Sequence, residues 1–447
     1  QYFSDGLSED FINALSQFAG LKVIGRNSAF QFRDTKDDAQ TIGAKLGVAH
    51  LLEGSVRRDG DTVRISAELI NTSDASTLWS QHYDRPYKDL FALQDDITHA
   101  VASALQAKLL DSGGTVAQSD RPPSGNLAAY TAYLQGNFYV AHTTEADIRQ
   151  AIAQYQAAIQ ADSRYARAYA ALSRTWSGLA ELYLSGLEAQ QAYTKARAAV
   201  NTALALEPNL AAAHVVRGNV LLNADFDWAG AQAEFRRATQ LAPDDGDSLF
   251  SLGVLSALLG DSEQAVRLTQ QALATDPLNA RWYNWQAAYL SGLGRLDEAA
   301  AASHKAIALQ PAAESYHELL AVIEIQHGDT EAALAAAQAE VPGAWQDVAL
   351  ALARQIGSDH AAADAALKHL IDKSADLAPY QIAEVYALRR DPDNMFQWLD
   401  RAWASRDPGV QTLLYDPFML RYQHDPRFAA FCRKVGLPTT TNAKAMP

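Results

Sequence analysis

Few side chains in this sequence stand where bond-making chemistry would need them. His317-Glu318 opens like a helical zinc-hydrolase pair, but the second histidine four residues after the first is missing, so zinc ligation has no complete donor set. The acid pairs Glu9-Asp10, Asp37-Asp38 and Asp95-Asp96 are adjacent in sequence, and neighbours on a helix diverge instead of facing one substrate. They read as solvated helix surface or as acids favoured near a helix N-terminus. Cys432 is the sole cysteine, which excludes an intrachain disulfide and a multi-cysteine metal site, and its simplest reading is a small buried apolar residue. His327 beside Gly328-Asp329 reads as part of a turn. Arg57-Arg58, next to a hairpin turn, reads either as an anion site or as ordinary strand-end solvation, and Trp282, Tyr283, Trp285 and Tyr289 read either as a binding platform or as core. Phosphate loops, dinucleotide fingerprints and nucleophile elbows are missing from the sequence. No cofactor and no metal is expected.

Charge narrows the classes further. Residues 1–120 hold 11 Lys+Arg against 17 Asp+Glu and the rest 26 against 35, for a net charge of −15 over 447 residues. Two acidic parts disfavour a nucleic-acid surface, which must neutralise phosphates, and an anionic membrane surface. A hydrophobic fraction of 48 % with 20 % charged residues is ordinary for a folded chain, and the length favours at least two domains or one repeat array. No stretch reaches the roughly 18–20 apolar residues of a spanning helix, so direct membrane insertion is not expected. The sequence opens at Gln1-Tyr2-Phe3 directly on a helical pattern, which suggests a longer polypeptide.

Residues 1–110 mix helix and strand signals. Leu7, Phe11, Ile12 and Leu15 carry helical spacing, and Leu21-Lys22-Val23-Ile24 reads as a strand. Asp37 to Leu46 reads as a helix stopped by Gly47. Leu51–Val56 and Val63–Ile70 alternate about Asp59-Gly60, the signature of a tight hairpin, and Thr77–Tyr83 alternates again. A long helix from Asp89 to Leu110 closes this part. Helix breakers at Asp111–Thr115 and Ser119–Asn126 then mark a boundary, giving a small α/β domain at 1–118, a linker at 119–126, an all-α part at 127–438 and a tail at 439–447.

The all-α part repeats with a period of 34. From Gly246 onward, Leu249, Leu252, Gly253, Gly260, Ala265, Ala272 and Pro277 recur as Tyr283, Gly294, Ala299, Ala306 and Pro311 in the next unit; Gly218, Ala231, Phe235, Ala238 and Pro243 precede them. This pattern resembles the tetratricopeptide repeat. About five good units are expected, with two or three weaker helix pairs after Pro311, and residues 412–438 are expected to cap the array with an outer surface facing water. The fold class is therefore a small α+β domain, with a mixed sheet and helices, followed by an all-α tetratricopeptide-type right-handed superhelix. The resemblance implies that positions 2, 5, 9, 12 and 13 of each first helix line a concave groove: Arg167, Arg174, Asn219, Asn223, Asp247, Phe250, Val254, Arg281, Asn284 and Glu318. Asparagines there pair with a peptide backbone and arginines fork onto a carboxylate, or the groove is merely solvated. The lysines of a clamp for C-terminal carboxylates are absent from these positions.

The first part resembles a bacterial module described as TolB amino-terminal-like, through Tyr2–Asp10, Leu51–Arg58, Leu78–Arg85 and Phe91–Ile97. The resemblance implies an apolar strand just before Tyr2-Phe3, which this sequence lacks, and tetratricopeptide repeats after the module with an Asp-Pro-Arg-Phe ending like Asp425–Phe428. It further implies a place C-terminal to a winged-helix DNA-binding domain or a class III nucleotide cyclase, with a membrane-spanning helix between that would put these domains on the periplasmic side. The expected function is a non-catalytic interaction or sensory region of a bacterial signalling or transcription-regulatory protein, with a protein or peptide partner or self-association. The regulatory part of a cyclase and a free-standing assembly scaffold are the alternatives.

Overall fold

The computed structural model describes residues 2–16, 18–19, 21–105, 108–109, 120–141, 144–184 and 186–443. The breakers at 111–115, the expected domain edge at 118–119, Leu110 and the last four residues of the tail lie outside them. The chain forms two compact units, Gln1–Pro243 with Thr275–Leu278, and Asp244–Ala274 with Asn279–Pro447.

The first unit opens with α1 (Tyr2–Leu15), the short α2 (Arg26–Ala29), α3 (Ala39–Leu46) and α4 (Leu90–Ala104), together with strands β2 (His50–Asp59), β3 (Thr62–Asn71) and β4 (Thr77–Pro86). The three strands form an antiparallel meander, with Val56 opposite Ile65 and Ile65 opposite Tyr83. Gly60 takes a positive φ of 57° in the hairpin turn, where a side chain would be strained. Alternation then decides the faces: Val63, Ile65, Ala67 and Leu69 of β3 are buried in one core with Leu90, Leu93, Ile97 and Val101 of α4 and Leu7 of α1. Asp38 caps α3 by accepting from the Thr41 N–H, and Gly47 ends it in the left-handed conformation.

Two expectations need correction here. The sheet is not mixed, because every strand pair among the described residues is antiparallel. Leu21–Ile24 is not a strand: the ladder forms at β1 (Phe18–Ala19), which pairs with β5 (Lys108–Leu109), while Leu21 and Val23 pack on the core. The Leu21 N–H turns back to the Phe18 carbonyl at 3.2 Å instead of joining a ladder.

The first unit continues through α5 (Leu127–Val140), α6 (Glu145–Ala161), α7 (Ala166–Tyr183), α8 (Gly186–Leu206), α9 (Ala211–Val220) and α10 (Trp228–Leu241). Tyr130, Leu134 and Tyr155 share the core of the α/β elements, and Gly6 of α1 lies so close to Leu134 that a Cβ there would sit 2.4 Å from its side chain. Of the linker read at 119–126, the described residues 120–126 belong to this unit. Residues 275–278 belong with it too, since the Asp276 carboxylate accepts from Ser28 N–H at 2.7 Å and Asn27 Nδ2 at 2.8 Å.

The second unit contains α11 (Gly246–Leu258), α12 (Ser262–Thr275), α13 (Ala280–Gly292), α14 (Leu296–Leu309), α15 (Tyr316–His327), α16 (Thr330–Ala339), α17 (Ala344–Ala353), α18 (His360–Ser374), α19 (Pro379–Leu388), α20 (Pro392–Ser405) and α21 (Pro426–Val435). Helices α10, α12, α14 and α16 begin at 228, 262, 296 and 330, each 34 residues after the last. Ala231, Ala265, Ala299 and Ala333 keep that spacing and are all fully buried, because only a small side chain fits where the two helices of a pair cross. Ala265→Phe is accordingly expected to overpack the α11–α12 crossing and cost about 1–3 kcal/mol. An unchanged urea midpoint for that variant would contradict the register. Among the described residues no helix is long and apolar enough to cross a membrane.

Candidate functional site

The residues first singled out for chemistry are dispersed. Asp37 pairs with Lys45 at 2.6 Å and Asp95 with Arg121 at 2.7 Å, while Asp96 is exposed. Glu9 and Asp10, read as solvated helix surface, are a correction. Asp10 is buried and accepts from Gln94 Nε2 at 2.6 Å and from the Tyr130 hydroxyl, and burial first, then the charge of Asp120, holds its carboxyl well above the usual range. Glu9 is raised as well, burial outweighing its 3.1 Å pair with Arg26. Arg58 lies over the Tyr87 ring at 3.6 Å and Arg57 is exposed. The Cys432 thiol is fully buried and pushed up to about 11 by that burial. His327 ends α15 beside Glu324 at 3.1 Å.

The ten positions expected to line a groove fall in both units, and each unit is described by itself. In the first, Arg167 is committed to Asp120, Nη1 to Oδ1 at 2.5 Å, with the two side chains only 15 % and 4 % exposed. Asn223 Nδ2 donates to Glu181 at 2.9 Å, Asn219 is half-buried and Arg174 is exposed. Arg167→Ala should therefore cost stability, about 1–3 kcal/mol, by leaving the buried Asp120 carboxylate without the opposite charge beside it. Peptide binding lost without any fall in the melting midpoint would show instead that Arg167 serves a ligand.

In the second unit Phe250 is buried, stacked on Trp282 with centroids 5.6 Å apart, and the Arg281 guanidinium lies 5.3 Å above its ring. Val254 packs beside this cluster with Tyr283 and Trp285. Tyr289 is fully buried, so two of the four aromatics first read as a platform or core are interior. Asp247 and Arg281 are exposed. Asn284 and Glu318 are half-buried, and both Asn284 Oδ1 and the neighbouring His317 Nδ1 are buried without a hydrogen-bond partner.

What lies against these first helices is the chain's own C-terminal segment. Eight consecutive residues, Leu413–Leu420, are buried. The Tyr415 ring meets Tyr289 of α13 edge-on at 5.5 Å, and a Cβ on Gly292 would sit 2.4 Å from the Tyr415 carbonyl oxygen. Tyr380 of α19 donates its hydroxyl to Asp416 Oδ2 at 2.8 Å. Residues 412–438 thus do more than face water at one end, as a cap was expected to do: part of the segment runs along the first-helix side of the pairs. Beyond α21 it turns back, and Thr441 Oγ1 donates to the carbonyls of Gly260 at 3.0 Å and Leu414 at 2.7 Å.

Around Asp416 the structure gathers carboxyl groups that the sequence did not single out. Glu384 of α19 is held well above its ordinary range, by burial first and then by the charges of Asp416 and Glu318. Glu318 is pushed up to about 8 by burial, Glu340 and Asp416 in that order. Glu340, itself buried, accepts from the N–H groups of Ser315 and Glu318, where the positive end of α15 favours an anion. Asp407 accepts from Tyr380 N–H at 2.9 Å. One signal was available: α19 reads Pro-Tyr-Gln-Ile-Ala-Glu-Val-Tyr-Ala-Leu, apolar nearly all round with a single acid, which marks a buried helix. Among the described residues no group of His, Cys, Asp and Glu is arranged to hold a metal ion.

Antiparallel helix pairs at a 34-residue spacing place the chain among helical-repeat folds. No protein-family model matches it. In sequence it is 31 % identical over 300 residues to "Putative adenylate cyclase 3" of Rhizobium meliloti (strain 1021), an alignment covering 67 % of this chain and 38 % of that protein, so the chain spans well under half of that relative. In structure it is similar to YrrB, a TPR protein with an unusual peptide-binding site (TM-score 0.32, 21 % identity, 48 % of this chain and 97 % of that one). It is also similar to PilW, a type IV pilus biogenesis factor (0.39, 21 %, 48 % and 98 %), and to a tetratricopeptide repeat protein from Parabacteroides merdae (0.37, 13 %, 65 % and 99 %).

Proposed function

We propose that this chain is a non-catalytic protein-interaction region of a bacterial signalling or regulatory protein, which holds a peptide or protein partner against the first helices of its repeats. One observation carries the reading. The first helices of the second unit already hold a segment of the chain from outside the helix pairs, the turns and 3-10 helix of Leu413–Leu420, through an edge-on aromatic contact, a glycine that admits a backbone carbonyl and a tyrosine hydroxyl on a carboxylate. These are the means by which grooves built of helix pairs grip peptides. Exposed Arg174 in the first unit and exposed Asp247 and Arg281 in the second supply polar contacts for a partner, and the net charge of −15 argues against nucleic acid as that partner.

The test is a peptide-display screen on the purified chain, repeated with Arg174→Ala and with Arg281→Ala. Enriched peptides whose affinity falls about tenfold in one of the variants support the reading. No enrichment, or enrichment indifferent to both substitutions, overturns it. A second reading follows from the likeness to the Rhizobium meliloti protein: the region regulates a nucleotide cyclase carried on the same polypeptide. Cyclase activity of the full-length protein, compared with and without these residues, decides that reading.

A further inference from the structure

The three-stranded sheet of the first unit has two outer strands, and they are built differently. Strand β4 ends in Pro86, carries Asp84 and Arg85, and its pairing with β3 is interrupted by a register shift at Leu69/Ile70. Proline, charge and irregularity are what blunt a sheet edge against further pairing. Over His50–Val56 strand β2 carries no proline, lysine or arginine, its register with β3 runs without a shift, and among the described residues β3 is its sole strand neighbour. Its outer row of N–H and C=O groups is a template for another strand.

Beside that edge lies a groove of about 550 Å³. Every residue from Leu46 to Val56 lines it, so the groove borders the backbone edge of β2 and not one face of the strand alone. Leu21–Ile24 lines it as well, four consecutive residues outside any helix or ladder, and the N–H groups of Lys22, Val23 and Ile24 bond to no described backbone carbonyl. The remaining walls are apolar. Helix α1 supplies Leu7, Phe11 and Leu15, and β3 supplies Ile65, Ala67 and Leu69. Leu52 stands opposite Leu69 and Val56 opposite Ile65, and directly opposed residues share a face of the sheet. Leu69 and Ile65 are each 2 % exposed, whereas Leu52 and Val56 are only half-buried. One more strand outside β2 would complete their burial. A small apolar molecule in the groove would cover the side chains but leave two stretches of backbone unpaired, so a strand fits both demands and a lipid-like ligand only one.

We propose that the groove bounded by Leu21–Ile24 and β2 is a strand-acceptor site. It takes one extended, largely apolar strand of a partner polypeptide, which pairs along His50–Val56 and turns its inner side chains onto Leu7, Phe11 and Leu15. The same strand gives Leu21–Ile24 the ladder that its composition suits. At ~3.3 Å per residue, about seven residues of the partner reach along that edge. The inference goes beyond the interaction reading: it concerns a separate surface, and it stands whether or not Arg174 or Arg281 meets a ligand.

Hydrogen exchange of the full chain tests it, with and without a synthetic peptide of about seven alternating valines and threonines flanked by lysines for solubility. Residues 50–56 should slow their exchange at least about tenfold when the peptide is added, while α5 and α6 stay unchanged. A counterpart with proline at its central position lacks a ladder donor and should protect nothing. Phe11→Ser opens the apolar wall of α1 and should weaken binding of the first peptide about tenfold, with exchange in β3 and β4 reporting that the variant is folded. Should Phe11→Ser fail to fold, the proline comparison decides alone. Absence of added protection at 50–56 would overturn the proposal, as would equal protection by the proline peptide or equal binding by folded Phe11→Ser. An edge already protected before peptide is added, in this chain or in the full-length protein, would mean that the polypeptide itself or a second copy covers it, and would overturn the proposal too.

Discussion

Glu318→Gln should stabilise the second unit in alkaline solution and change it little in acid. The carboxyl of Glu318 is half-buried on α15, and its pKa is raised from 4.5 to about 8, first by burial and then by the negative charges of Glu340 and Asp416. A folded state that keeps a proton the unfolded chain has released loses stability as pH rises. The contribution is complete below about 4.5, declines between there and about 8, and is flat beyond. At about 1.36 kcal/mol per unit the interval amounts to at most ~5 kcal/mol, and the carboxyl's partial contact with water reduces that figure. Glutamine fills nearly the same volume and carries no charge at any of these pH values. Urea titrations of both proteins at about pH 5 and about pH 9, read from hydrogen exchange of peptides in α13 and α15, measure the difference. Parallel pH dependence in the two proteins would sink the assignment of Glu318 as the group that titrates.

That titration was invisible in the sequence, whereas much of the fold was not, and the difference is one of range. Ala231, Ala265, Ala299 and Ala333 announce the repeat because a helix crossing demands a small residue wherever it recurs, and that demand is local. Asp38, Gly47 and Asp59-Gly60 announce caps and a turn for the same reason, since each acts on backbone within a few residues. Asp10 looked like a surface acid because its partners, Gln94 and Tyr130, lie 84 and 120 residues away. Arg167 looked available because Asp120, its buried partner, lies outside the repeat pattern that placed it. Phe250 was assigned to the groove by position alone, while its ring is better buried against Trp282 than left in water. Leu21–Ile24 has strand composition without a strand partner, which composition cannot reveal. Glu384 and Asp416 meet only because the chain returns along the helices it has just built, and no periodic rule encodes a return.

Phe418→Ala should be among the most damaging single substitutions in the second unit, costing about 3–5 kcal/mol. Phe418 is fully buried, as are Leu413, Leu414, Met419 and Leu420 around it in sequence, and its N–H donates to Asp416 at 2.8 Å. Truncation removes the apolar area of a whole, fully buried ring and leaves a cavity. A loosely applied cover behaves differently, because a side chain that merely lies on a surface can be deleted for less than about 1 kcal/mol. The size of the loss therefore reports whether the C-terminal segment is core or covering. Phe418→Leu is the control, since it keeps most of the volume and should cost much less. Leu352→Ala, in the fully buried interior of α17, sets the scale for a helix-core residue at about 2–5 kcal/mol. Chemical denaturation of the three variants at one pH gives the comparison. A loss for Phe418→Ala comparable to that for Leu352→Ala makes the segment part of what folds. A loss below about 1 kcal/mol would mean that Leu413–Leu420 is held by its polar contacts alone.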